Sequence, residues 1–364
     1  MNACFLAPAC RINILLTALF FIAGCAPASP ARPPAQATVT PARAPATQLP
    51  TVSLTAERES ILESGQWSYV FYYEGLEQIV LVNGGPERSQ PADDPLELWS
   101  WDGTQWSLVS ADINGPVWRN FAAATYDSAR DALVIHGGVQ SAGSGFDETW
   151  EWDGQTWTSF TEQGPGAREG ALMVYDVARA KTVLFGGAVN LEIKSDTWEW
   201  DGNTWTQVSE TGPAPRFPGA MVYDPIRHEV LLYSGHFAET TGAFIDYDDL
   251  WAWNGEAWRE IATDGSTPGH HNHTAFVFDP TLEKILLIGG GGLEFLGDTW
   301  VWDSIKWEEF PTSNLPARSG HSVAYDPSRD RFVLFGGVDR PGGKALADTW
   351  EWDRVEWVCV DNCQ

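Results

Sequence analysis

Positive charge is scarce in this sequence. Its 364 residues hold 22 Lys and Arg against 49 Asp and Glu, a formal net charge of −27, and because three arginines and no acidic residue precede position 50, the rest of the chain carries −30. Such a field repels phosphate backbones and anionic headgroups, which argues against nucleic acid and leaves cations, neutral glycans and basic proteins as compatible partners. Long apolar runs are also missing, apart from Ile12 to Ile22, which Asn13 and Thr17 interrupt and which is too short for a membrane span. No GxSxG, P-loop, HExxH or strand–turn–helix dinucleotide fingerprint occurs, so no cofactor is expected. Absence across so many reaction classes favours a binding module over an enzyme.

The first 25 residues read as an export signal: Arg11, the apolar run, then small residues. The end of that signal, Ile22-Ala23-Gly24-Cys25, resembles the bacterial lipobox, in which the cysteine is diacylated and becomes the first residue of the mature protein. The resemblance implies a lipid anchor at Cys25 and a location in the periplasm or on the cell surface; an ordinary cleaved signal with an incidental cysteine is the alternative. Residues 26–52 are rich in Pro, Ala and Thr and lack acidic residues, so they cannot bury a core and form an extended tether. Cysteine is sparse, with five in all. Cys4 and Cys10 leave with the signal, which makes Cys359 and Cys363 the only pair beyond Cys25, a candidate disulfide stapling the C-terminus in an oxidising compartment.

Aromatic residues are where the sequence is rich. It has 20 Trp, and most fall in one recurring motif: ELWSWDGTQW from Glu97, ETWEWDGQTW from Glu148, DTWEWDGNTW from Asp196, DLWAWNGEAW from Asp249, DTWVWDSIKW from Asp298 and DTWEWDRVEW from Asp348. The first Trp of each falls at 99, 150, 198, 251, 300 and 350, a period near 50 that marks units able to bury their faces only by stacking on one another. The preceding half of each unit is an Arg or His, an apolar stretch ending in Tyr-Asp, a turn, a second apolar stretch and Gly-Gly, as in RSGHSVAYDPSRDRFVLFGG from Arg318. Asp224-Pro225, Asp279-Pro280 and Asp326-Pro327 set β-turns, Asp by bonding the backbone and Pro by fixing φ. Trp150 and Trp152 are two apart and share a strand face, and the Asp153-Gly154 pair turns the chain into a short fourth strand. Four antiparallel strands per unit follow.

From Trp67 to Val360 these residues resemble the kelch repeat family, used in galactose oxidase and in many binding propellers. The resemblance implies an all-β, six-bladed kelch-type β-propeller within residues 53–364, with blades at about 61–112, 113–161, 162–209, 210–262, 263–311 and 312–364. Ring closure is expected from blade packing, with residues 51–60 as a candidate aid. The resemblance also implies that loops joining second to third strands, and those entering first strands, gather on one face as the ligand face.

Candidate binding residues lie where the units stop being alike. The fourth unit replaces a short loop with SGHFAETTGAFIDYDDLW, carrying His236, Phe237, Phe244, Asp246, Tyr247 and Asp248. In the fifth, His271 takes the place of the recurrent Arg, flanked by His270 and His273, and Glu294 follows its glycines. The recurrent Arg119, Arg168, Arg216 and Arg318 are candidates for the channel mouth, against a structural role in bonding the neighbouring blade. No metal site is expected, since adjacent strand residues face opposite ways and at most His271 and His273 converge. Galactose oxidase chemistry would need a cysteine joined to a tyrosine at copper, and both candidate cysteines lie beyond the final Trp. The expectation is an anchored module that binds a protein or carbohydrate ligand through one face of the channel. The alternative is a carbohydrate-modifying enzyme, similar to kelch-type sialic acid epimerases, using His271, Glu294 and Arg216.

Overall fold

A computed structural model of the protein describes residues 67–83, 93–140, 145–161, 164–189, 192–217, 219–238, 244–263, 267–292, 294–311 and 314–363. Cys25, the tether and residues 51–60 lie outside them. Blade 1 consists of β1 (Tyr69–Tyr73), β2 (Gln78–Val82), β3 (Leu98–Trp101) and β4 (Trp106–Ser110), and blade 2 of β5 (Ala123–Asp127), β6 (Ala132–His136), β7 (Thr149–Trp152) and β8 (Trp157–Phe160). Blade 3 contains β9 (Leu172–Asp176), β10 (Lys181–Phe185), a small hairpin of β11 (Ala188–Val189) and β12 (Glu192–Ile193), then β13 (Thr197–Trp200) and β14 (Trp205–Ser209). Blade 4 contains β15 (Ala220–Asp224), β16 (Glu229–Tyr233), a second small hairpin of β17 (His236–Ala238) and β18 (Phe244–Asp246), then β19 (Leu250–Trp253) and β20 (Trp258–Ile261). Blade 5 has β21 (Ala275–Asp279), β22 (Lys284–Gly291), β23 (Phe295–Trp302) and β24 (Trp307–Glu309); blade 6 has β25 (Ser322–Asp326), β26 (Arg331–Val338), β27 (Ala345–Trp352) and β28 (Trp357–Asp361). Each blade is one four-stranded antiparallel sheet whose strands pair in chain order, giving a six-bladed all-β propeller.

The motif tryptophans are the mortar between blades. Trp101, Trp152, Trp200, Trp253, Trp302 and Trp352 are all buried, and burying each such ring stabilises the fold by up to about 3 kcal/mol. Where the preceding blade offers a glutamate in its third strand, the indole N–H donates to it: Trp200 to Glu151 at 2.6 Å, Trp253 to Glu199 at 3.1 Å, and Trp101 to Glu351 at 2.9 Å. Blades 1, 4 and 5 carry Ser100, Ala252 and Val301 there instead, and the indole nitrogens of Trp152 and Trp352, which face blades 1 and 5, have no partner. The fourth-strand tryptophans repeat the device with threonine, Trp205 donating to Thr149, Trp258 to Thr197 and Trp106 to Thr349, each at 2.8 Å.

Two of those bonds, Trp101–Glu351 and Trp106–Thr349, join the first blade to the last. The apolar cluster beneath them mixes Val70, Ile79, Leu81 and Trp99 of blade 1 with Ala324, Val333 and Phe335 of blade 6. The closing seam thus uses the same chemistry as the internal seams, and among the described residues no strand is exchanged between blades 1 and 6.

A second seam runs under the A–B turns, the turns joining the first two strands of each blade. Asp127, Asp176, Asp224 and Asp326 each receive backbone N–H groups of their turn and pair with the arginine three residues on, Arg130, Arg179, Arg227 and Arg329. Over three of these arginines lies the hairpin glycine of the next blade: a Cβ on Gly202 would fall 2.7 Å from the Arg130 guanidinium carbon, one on Gly103 would fall 2.9 Å from an Arg329 nitrogen, and Gly255 stands likewise over Arg179. Blade 5 breaks the pattern with Leu282, and blade 6 answers it with Arg354 in place of the hairpin glycine. Arg354 reaches back to grip the fully buried Asp279 at 2.8 and 3.0 Å.

Candidate functional site

The recurrent arginines are buried nodes. Arg119 donates to the carbonyls of Val117 and Gly137 and to Glu148 at 2.9 Å. Arg168, Arg216 and Arg318 repeat this geometry with Gly186 and Asp196, Ser234 and Asp249, and Gly336 and Asp348. All of these partners belong to the arginine's own blade. The link to the neighbouring blade runs instead through the arginine's carbonyl, which accepts the second glycine's N–H of the blade before, from Gly138 to Arg168 and from Gly290 to Arg318, both at 2.8 Å. The Gly-Gly pair is therefore steric in origin: a Cβ at Gly137 would sit 2.4 Å from the Arg168 carbonyl oxygen. Burial opposes ionisation of the paired carboxylates, but the arginines outweigh it and hold Glu148, Asp196 and Asp249 below the usual carboxylate range.

In blade 5 His271 fills the arginine position. It is 1% exposed, with Nε2 3.3 Å from both oxygens of Asp298 and Nδ1 3.4 Å from the Gly269 carbonyl. Ser234, standing where four other blades have glycine, accepts the His271 N–H at 3.2 Å and donates to Asn272 at 3.4 Å, so it ties blade 4 to blade 5.

Two residues after each node the chain reaches the mouth of the central channel. The residues there are Trp67, Phe121, Gly170, Pro218, His273 and Gly320, of which Pro218 lies outside the described residues. Trp67, Phe121 and His273 hold left-handed φ values of 63°, 56° and 55°, a conformation that costs side-chain-bearing residues about 1 kcal/mol or more. Their rings meet across the mouth. Trp67 lies 4.9 Å from Phe121 and 4.3 Å from His273, Phe121 lies 5.8 Å from Phe217, and His273 lies 6.4 Å from His236 of β17. Gly170 makes room for a ring, since a Cβ on it would fall 1.6 Å from Phe217, whereas a Cβ on Gly320 would only touch the Trp67 ring at an ordinary 3.4 Å. Backbone bonds pass between blades beneath the rings, from Gly170 to Phe121 at 2.7 Å, Gly320 to His273 at 2.9 Å and Trp67 to Gly320 at 3.3 Å. Burial pushes the His273 imidazole down to about 3, with His236 adding to the effect, and His236 itself is lowered by burial.

The sequence profile of the KLHDC2/KLHL20/DRC7 Kelch-repeats domain matches residues 74–290 and 160–337 of this chain. The chain belongs to the kelch-repeat family. No curated protein matches it. Among solved structures it is similar to the one titled "Structure of YjhT", with a TM-score of 0.59 and 13% identity over 85% of this chain and 99% of that one; at that identity the likeness concerns the kelch propeller fold alone.

On the kelch frame the sequence-predicted residues separate. His236 and His273 come together at the mouth. Tyr247 lies 4.3 Å from the Arg216 guanidinium, as Phe146 covers Arg119 at 3.9 Å, so it shields a structural node. Asp246 is exposed and accepts a bond from Asn272 at 3.1 Å, while Asp248 is exposed with Thr267 3.4 Å away. Phe237 is half-buried in β17, His270 and Glu294 are exposed, and the side chain of Phe244 lies outside the description. His271 turns to Asp298 and His273 to Trp67, so the two histidines do not converge. Among the described residues no group of three His, Cys, Asp or Glu gathers as metal ligands. Cys359 and Cys363 are joined in a disulfide that closes a short loop at the end of β28. Trp67, Phe121 and Phe217 escape a motif reading because they lie between motifs. No single position signals them, since the positions on either side vary as well, with Asn120, Glu169, Phe217, Asn272 and Ser319 before and Ala122, Ala171, Gly219, Thr274 and His321 after.

Proposed function

We propose that the protein is an exported propeller, anchored through a lipid on Cys25, that acts as a binding module, with a protein or carbohydrate ligand seated on the loop face against blades 4 and 5. One observation carries this reading: aromatic and imidazole rings from four blades are assembled at that face, three of them (Trp67, Phe121 and His273) on left-handed backbone that glycine would hold without cost. Strain of this kind persists where the surroundings hold it for a purpose, and an aromatic floor flanked by Asp246 and Asn272 offers stacking and hydrogen bonding together. Of the three groups that the enzyme alternative names, Glu294 is exposed and the other two are engaged elsewhere. Arg216 and His271 are each 1% exposed and paired with Asp249 and Asp298, and neither lines the channel.

The test is a thermal-shift screen of the full chain against oligosaccharides, sialic acids and basic peptides, since a ligand of the native state raises the melting temperature by mass action. A hit lost on Phe217→Ala and on His236→Ala supports the reading; a hit indifferent to both sinks it. Anchoring is tested separately by palmitate labelling, which Cys25→Ser should abolish.

A further inference from the structure

Charge divides the two faces of the ring of blades. Outside the buried arginine nodes, the described residues of the loops that join second to third strands or enter first strands hold only Lys194, Arg340 and Lys344 as cations. Lys194 is engaged by Glu192 at 2.7 Å and Arg340 by Asp339 at 3.1 Å, and none of the three lies on blade 2, 4 or 5. Arg130, Arg179, Arg329 and Arg354 belong to the opposite face, where they hold the A–B turns and Asp279. On blades 4 and 5 the loop face presents Asp246, Asp248 and Glu294, all exposed. The ring cluster at the mouth therefore sits in a negative field.

One carboxylate belongs to the mouth itself. The residue after each node reaches back over the preceding blade: in blade 4 it is Phe217, whose ring would meet a Cβ on Gly170 of blade 3, and in blade 5 it is Asn272, whose amide donates to Asp246 of blade 4 at 3.1 Å. In blade 3 this position is Glu169, and Gly170 beside it donates to the Phe121 carbonyl of blade 2 at 2.7 Å. Glu169 is half-buried and has no ion pair among the described residues; burial pushes its carboxyl above the usual range and nothing offsets the shift. Removing a carboxylate from water without a cation to meet it is a cost that the free protein bears. A second polar group is left over nearby. His273, between Trp67 and His236 on the channel wall, has its Nδ1 buried without a hydrogen-bond partner. Burial keeps this imidazole uncharged, so it adds no positive charge and retains an acceptor nitrogen.

The rings supply the third element. Trp67, Phe121 and Phe217 are each half-exposed, and an aromatic face attracts a cation within about 6 Å of its centre. A neutral glycan would stack on these rings and leave Glu169 unpaired, and an anion would meet the carboxylates of the face. An organic cation with N–H donors uses the rings, the carboxylate and the acceptor together. Resting on the loop-face reading, we propose that the group recognised there is an alkylammonium, set against the rings of Trp67 and Phe121 and paired with Glu169. Lysine side chains and free polyamines both carry this group.

Calorimetric titration of the full chain with spermine, with a pentalysine peptide and with the same peptide acetylated on every side-chain amine tests this, in about 0.15 M salt to screen the general field of an acidic protein. Spermine or pentalysine should bind one saturable site per chain, and the acetylated peptide should not. Binding of both amines assigns recognition to the ammonium itself, binding of pentalysine alone to a protein partner, and binding of spermine alone to a free amine. Trp67→Gly, which keeps the φ of 63° without strain, should weaken binding about fivefold or more, and Glu169→Gln about tenfold. Glu256→Gln makes the same charge change at an exposed hairpin position on the opposite face and should move affinity less than about twofold. Equal affinity for the acetylated peptide, or a loss through Glu256→Gln as large as through Glu169→Gln, would overturn the proposal. If neither amine binds while a neutral oligosaccharide does, in a way lost on Phe217→Ala, the proposal falls and the loop-face reading stands; if nothing binds, both fall.

Discussion

The exchange between Leu282 and Arg354 allows a sharp test of how the blades are joined. Replacing Arg354 by Gly removes both guanidinium bonds to Asp279, a fully buried carboxylate, and leaves it only the N–H groups of Thr281 and Leu282. Breaking a buried pair by removing one partner costs about 3–5 kcal/mol. Part of this is returned, because Arg354 holds a φ of 73° that glycine adopts freely, a relief of about 1 kcal/mol. The single variant should therefore lose about 2–4 kcal/mol in urea unfolding. Adding Leu282→Arg rebuilds the arrangement of the other blades, an arginine three residues after the turn aspartate with glycine over it. The double variant should recover most of the loss, although Leu282→Arg alone, with Arg354 still in place, should destabilise by crowding two guanidinium groups onto one carboxylate. A double variant no more stable than Arg354→Gly would refute the idea that the two positions are one interaction shared between blades.

Stability should also fall with acidification before any carboxylate titrates. Burial pushes His136 down to about 4 and His273 and His321 to about 3, whereas in the unfolded chain each takes a proton near pH 6.5. The unfolded state then binds more protons below pH 6.5, so stability is complete above that value and is lost progressively as pH falls toward 3–4. The slope should be about 1.4 kcal/mol per pH unit for each histidine. Urea midpoints measured between pH 7 and 5 should show it, and His321→Gln should remove about a third of it; an unchanged slope would contradict the assignment. Gly170→Ala should displace Phe217 and reduce ligand capture on the loop face while changing the unfolding free energy in urea by no more than about 2 kcal/mol. Reduction of Cys359–Cys363 should cost no more than about 2 kcal/mol, as its loop is short and terminal, and circular dichroism should show the blades intact.

The fold was legible because its physical causes repeat. A Trp two residues from a Trp, an Asp at a turn and paired glycines each have one local explanation, and six copies at a period near 50 leave little freedom in how the units stack. What a single unit hides is the partner across the seam. The glutamate between two tryptophans looks like solvent-facing strand decoration, yet Glu151 binds both Arg130 of its own blade and Trp200 of the next. The recurrent arginines were legible as important residues but not as to direction, because guanidinium and carbonyl of one residue serve different blades. The channel mouth was least legible. Left-handed φ at Trp67, Phe121 and His273 has no residue signature, since glycine, the usual occupant of such a position, appears there in only two of the six units.

Departures from the repeat therefore fall into two kinds, which differ in what they imply. Leu282 is a compensated departure, since Arg354 supplies from the next blade what it removes, and His271 is another, since it keeps the carboxylate partner of the arginine it replaces. Compensation of this sort preserves a seam and needs no ligand to account for it. Trp67, Phe121 and His273 are departures of the other kind: each places a large ring on a backbone that favours glycine, and while their backbones bond across the seams as the glycines' do, the rings contact one another across the channel mouth. A selection for stability alone would restore glycine at these positions, as at Gly170 and Gly320. On that argument Phe121→Gly and His273→Gly should leave the unfolding free energy in urea unchanged or raised by up to about 1 kcal/mol while ligand binding at the loop face is lost. A marked fall in stability would instead make the ring cluster a structural plug, and would move the search for the ligand to the β17–β18 hairpin of blade 4.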